Sequence, residues 1–179
     1  MRPIPSTLSL ALILALLAGC GGGGDSGGGA EPALSPSPAS QGLAETYRSA
    51  IEGARDQELN DAYPVVTDPE DEQNRPYFDL LGLDPADCEA AALSVSLMNV
   101  KAYGIAAVRP AEGKGDKVYE DLKGFIGRQM QSFQQYLADQ YDIASHTRLE
   151  TLTDGTVLLV MCENQDEVFN LIRSAIEGA

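Results

Sequence analysis

The sequence predicts an α+β domain over residues 42–179, in which an N-terminal helix precedes the order ββαββα and a four-stranded, largely antiparallel sheet carries its helices mainly on one face. Three observations lead there. Ala91 to Met98 (AALSVSLM) alternates, with Ala91, Leu93, Val95 and Leu97 on one side and Ser94 and Ser96 on the other. Val118, Leu122, Phe125, Ile126, Met130, Phe133 and Leu137 recur at helical spacing. Asp154-Gly155 separates two strand-like segments as a type I′ hairpin turn would, because both of its positions need positive φ.

The elements follow in order. Leu43, Tyr47, Ala50, Ile51 and Ala54 share one helical face, which predicts a first helix from Leu43 to about Leu59, with Gly53 as a weak point inside it. Asn60 to Arg75 is acidic and punctuated by proline, and reads as an irregular, solvated connection. A helical turn at Tyr77 to Leu81 ends at Gly82, and another turn can follow Pro85. The strand at Ala91 to Met98 pairs with a second at Tyr103 to Arg109 through the turn at Asn99 to Ala102. Asp116 is placed to cap the long helix, whose wet side takes Lys117, Asp121, Arg128, Gln131 and Gln135. Thr147 to Thr153 and Thr156 to Cys162 form the second hairpin, and the run VLLVM is apolar enough to need cover on both faces. Asn164 and Glu167 have capping-box spacing, ahead of a terminal helix with Val168, Leu171, Ile172, Ala175 and Ile176 on its buried side.

Charge excludes several partners. The chain carries 12 basic against 27 acidic residues and a formal net charge of -15, with no basic run and no zinc-finger spacing, so nucleic acid is not an expected partner. The same sign argues against a polybasic dock on anionic lipid.

The catalytic inventory is thin. His146 is the only histidine, at the entrance of a strand, and no GxSxG, HExxH, P-loop or EF-hand string is present. Cys88 or Cys162 could be paired with His146 on paper, yet neither has neighbouring cations in sequence to lower its pKa. No catalytic residue, cofactor or metal is assigned, and the chain is not expected to be an enzyme. A Cys88–Cys162 disulfide would add about 4 kcal/mol in the chain-entropy model; buried, inert thiols are the preferred reading. Asp68, Glu70, Asp71 and Glu72 are read as a solvated acidic loop rather than a cation cage, since Pro69 and the lack of glycine oppose a tight fold-back. Tyr63, Tyr77 and Phe78 flank that loop, and two of the three are expected in core or rim packing.

The amino-terminal end gives an address. An apolar run from Leu8 closes on Leu17-Ala18-Gly19-Cys20. It falls short of the roughly 20 residues that span a bilayer, and it resembles the lipobox of a bacterial lipoprotein signal peptide. The resemblance implies that residues 1–19 are cleaved and that Cys20 becomes the lipidated mature terminus, diacylated on sulfur. Residues 20–41 then form a Gly-, Pro- and Ser-rich tether, on the order of 25 Å end to end and about 70 Å at full stretch. Two acyl chains anchor stably where one does not.

The stretches SLMNVKAYGIAAVRP, YLADQYD and GTVLLVMCENQDEVFNLI, together with the lipobox, resemble an uncharacterised family of small, mostly Gram-positive bacterial lipoproteins with a C-terminal domain of unknown function. That resemblance implies an extracytoplasmic domain held at the outer face of the cytoplasmic membrane, and supplies no site residue beyond Cys20. The expected function is a binding or accessory module at the cell surface, with the membrane as one partner through the anchor and a protein as the other. An envelope enzyme and a small solute-binding accessory protein are the alternatives. A pocket of convergent polar groups would favour the enzyme, and an apolar patch rimmed by acid the binding module.

Overall fold

The computed structural model describes residues 37–179. The leader at 1–19, Cys20 and the tether up to residue 36 lie outside the described residues. Along the chain run α1 (Pro38–Gly53), α2 (Gln57–Ala62), α3 (Arg75–Leu81), a 3₁₀ turn at Pro85–Asp87, β1 (Cys88–Val95), β2 (Gly104–Pro110), α4 (Gly115–Phe133), α5 (Ala138–Ser145), β3 (Arg148–Thr151), β4 (Val157–Met161) and α6 (Gln165–Glu177). The strands form one four-stranded sheet in the order β1-β2-β4-β3 with every neighbouring pair antiparallel, as the α+β class requires.

The helices cover both faces of this sheet, not mainly one as expected. Ala90, Ala92, Ile105, Ala107, Leu158 and Val160 share a core with α1 and α6. The intervening residues, among them Ala91, Leu93, Val95, Val108, Leu159 and Met161, share a second core with α3, α4 and α5. The cause lies in β1, β2 and β4, which are apolar at both alternations. A strand with no wet side needs a layer on each side of it.

The ends of elements account for the other differences. Ser37 accepts a hydrogen bond from the Ser40 N–H at 3.2 Å and Pro38 occupies the first turn, so α1 begins at Pro38, within the segment assigned to the tether. It stops at Gly53, and Asp56 caps a separate α2 by accepting from the Leu59 N–H at 2.8 Å. Asp116 sits in the first turn of α4 and not at its cap, which is Lys114, whose side chain makes no capping hydrogen bond. Asn164 precedes α6 in the left-handed region, φ 58°, and the capping box with Glu167 does not form. The buried side of α6 is Phe169, Ile172 and Ile176, whereas Leu171 is 50% exposed. Phe169 is buried in the core shared with α1, and the Arg148 guanidinium lies over its ring, 4.5 Å from the centroid.

The Asp154-Gly155 turn is present in another geometry. Only Gly155 has positive φ, at 88°. Its N–H donates to the Leu152 carbonyl at 3.0 Å while the Leu152 N–H donates to the Thr156 carbonyl at 2.7 Å, a three-residue connection closed by a left-handed glycine. Asp154 Oδ1 accepts from the Thr156 N–H at 2.9 Å, which favours the negative φ that a type I′ turn forbids. The Tyr47 hydroxyl meets Thr156 Oγ1 at 2.6 Å and Arg109 meets Asp154 at 2.6 Å, tying α1 to this turn. The connection at residues 60–75 is also more ordered than expected, since Val66 exchanges two backbone hydrogen bonds with Leu93, at 2.8 and 2.9 Å.

Candidate functional site

One end of the sheet gathers Val95 of β1, Gly104 of β2 and Met161 of β4, which are successive partners in the ladder. The β1–β2 connection crosses this end and is tied down along its length. Ser96 N–H donates to the Tyr103 carbonyl at 3.1 Å, the Met98 N–H to Ser96 Oγ at 3.3 Å, and the Val100 N–H to the Met98 carbonyl at 2.8 Å. Ser132 Oγ of α4 donates to Asn99 Oδ1 at 2.9 Å, and the Ala102 N–H donates to the buried Gln140 Oε1 of α5 at 2.8 Å. Lys101 pairs with Glu163 at 3.2 Å.

On this fixed loop the apolar side chains face water. Leu97, Met98 and Val100 are 53%, 66% and 62% exposed, and Tyr136, on the α4–α5 connection between Ser132 and Gln140, is 86% exposed. Isolated exposed apolar residues are ordinary, but three within one braced loop form a patch that folding does not explain. The sequence places Leu97 on the inner side of β1. The alternation continues past Val95, yet the strand ends there, so Leu97 has no sheet beneath it. Ser94, on the other side of the alternation, is buried and accepts from the Arg55 guanidinium at 2.8 Å, which also reaches the Tyr103 hydroxyl at 2.5 Å.

Beside the loop lies an open cleft of about 690 Å³ between the end of α5 and the start of α6, lined by Asp142, His146, Cys162, Glu163, Asp166 and Glu167. His146 Nδ1 stands 2.8 Å from the Asp142 carbonyl, and because a carbonyl only accepts, Nδ1 carries the proton there. Burial pushes the Cys162 thiol up to about 12, so at neutral pH it is a thiol with no thiolate to attack with. Cys88 is also pushed up to about 12, by burial first and then by Asp87 and Asp84. Cys88 starts β1 opposite Pro110 and Cys162 follows β4 beside the other end of the sheet, so a strand length of about 20 Å separates them, far beyond disulfide reach. Both are free.

The remaining sequence candidates are dispersed. Asp68 and Asp71 spend carboxylate oxygens on the N–H groups of Glu70 and Gln73, each at 2.9 Å, and no group of three or more possible metal ligands occurs among the described residues. Phe78 is fully buried, Tyr77 packs partly against the core, and Tyr63 stacks on Tyr103 with ring centroids 4.1 Å apart, so all three serve packing.

Residues 66–162 match a family described as Domain of unknown function (DUF4358), a span that holds the whole sheet, the braced loop, and α3 to α5. No curated protein matches the chain. No solved structure matches it either.

Proposed function

The chain belongs to the DUF4358 family, and from that premise we propose that it is a lipid-anchored extracytoplasmic protein whose α+β domain is a binding or accessory module at the cell surface. The family carries no function to inherit, so the geometry must supply it. The carrying observation is the braced apolar loop of Leu97, Met98 and Val100, a surface kept out of the core and held in one shape. Preorganised apolar anchors of this kind are what a protein partner can bury without ordering them first. The neighbouring cleft is open and its thiol is protonated, which weighs toward binding rather than covalent chemistry. Anchoring rests on Leu17-Ala18-Gly19-Cys20, with the outer face of the cytoplasmic membrane as its address. No helix among the described residues is long and apolar enough to cross a membrane, so the anchor is the contact proposed with lipid.

Two experiments test this. Cys20→Ser should abolish incorporation of a labelled fatty acid, and label retained on the variant would sink the lipid anchor. A photo-reactive residue at position 98 of the full chain, activated in living cells, should yield a protein adduct that the same residue at Ser174, exposed on α6, does not. Equal adducts at both positions, or none at 98, would end the docking role of the loop.

A further inference from the structure

We infer that the partner seated on this loop presents an apolar patch bordered by lysine or arginine, and that charge steers it into place; this rests on the proposal that the loop is a docking surface. The patch is flanked by acid. Glu163 is bonded to Lys101 of the loop itself, and Asp139 neighbours Gln140, which holds the loop's Ala102 N–H. Asp142, Asp166 and Glu167 continue the acidic flank along the cleft.

Two cations on this side are committed. Lys101 is held by Glu163, and Arg148 is shared between Asp166 at 2.6 Å and Glu150. Among the described residues, Asp139 and Glu167 have no cation within 4.0 Å. Gln165 also lines the cleft, although its Oε1 is buried and has no hydrogen-bond partner among the described residues. A wall of acceptors beside an apolar patch is complementary to an ammonium or guanidinium carried next to apolar side chains. The rival occupants are disfavoured by the same charges. An anionic bilayer is repelled, and a second copy would set acid against acid on a chain of net charge -15.

The test uses the full chain in cells with the photo-reactive residue at position 98, first in three backgrounds. These are the parent, a flank reversal with Glu163→Lys and Glu167→Lys, and an equal charge change elsewhere with Glu70→Lys and Glu72→Lys. The flank reversal should cut the protein adduct about tenfold, while the remote reversal leaves it near the parent level. Glu163→Gln with Glu167→Gln, which removes charge while avoiding new repulsion, should cut it by a smaller factor and covers the case in which the lysine variant misfolds. Equal yields in all backgrounds would overturn the basic-partner inference while leaving the docking surface standing. Adducts only to lipid, only to a second copy of the chain, or absent altogether would overturn the inference together with the protein-docking reading beneath it.

Discussion

Asp87 is 4% exposed and holds two ammonium groups, Lys114 at 2.7 Å and Lys117 at 2.9 Å. The hydrogen bond from Lys114 and then that from Lys117 lower its pKa below the ordinary 3.8, outweighing the opposing effect of desolvation. A depressed carboxylate contributes stability that is complete above its unfolded value and is lost as pH falls through the folded one. Asp87→Asn should therefore lower Tm by about 5 °C at pH 7, with the gap closing below the ordinary value of 3.8; thermal melts across pH 2 to 7 read this directly. A gap independent of pH would assign the loss to packing. Gly104 meets a steric limit instead. A Cβ there would stand 3.0 Å from Phe125 Cε1 and 3.1 Å from Cζ, so Gly104→Ala should cost about 1–3 kcal/mol through displacement of a buried ring. Urea unfolding measures it, and a neutral result would show that Phe125 has room to retreat.

Among the elements, α4 gives the cleanest contrast. Phe133 is 1% exposed and Gln131 lies on the wet side, so Phe133→Ala should cost about 3–5 kcal/mol and Gln131→Ala less than about 0.5 kcal/mol in urea unfolding. Small, equal effects would mean that the helix is turned about its axis. That face was legible because apolar residues repeat at helical spacing from Val118 to Phe133; the repeat was carried too far, since Gln135 and Leu137 lie past the end of α4, in the turn before α5. The strands were legible through alternation and through a run, VLLVM, too apolar to have a wet side. The second helical layer was not read from that same run, although cover on both faces demanded it. The cap at Asp116 was misread, and at Asn164 the cap position held but the capping box did not, because a pattern in side chains stood in for backbone geometry. The loop was hidden for a related reason. Periodicity reports which way a side chain would point but not where the hydrogen-bonded ladder stops, so Leu97 seemed to continue a strand that ends at Val95. Nothing in their spacing joined His146 to a cysteine, yet the fold brings His146 and Cys162 to one cleft, while Cys88 starts β1 at the far end of the sheet.

At the level of the whole molecule, three layers leave the loop as a feature that stability does not require. Leu97→Ser with Val100→Ser should shift unfolding by less than about 0.5 kcal/mol each, because side chains already in water lose little when made polar. A large loss would place these residues in the core and remove the reason to regard them as a surface. The family span ends at residue 162, so α1 and α6, which close one face by packing on β1, β4 and each other, lie outside it. The Val66 bridge acquires a wider meaning here. An uncapped strand at a sheet margin is a template for polymerisation, since its free N–H and C=O groups accept a strand from any neighbour. Val66 occupies the outer margin of β1 at Leu93, while the opposite margin is the short β3, carrying the charges of Arg148 and Glu150. With Val66 bridged to one margin and short, charged β3 at the other, neighbouring copies have little edge to zip together, and the exposed apolar loop lies on a domain poorly disposed to seed fibres.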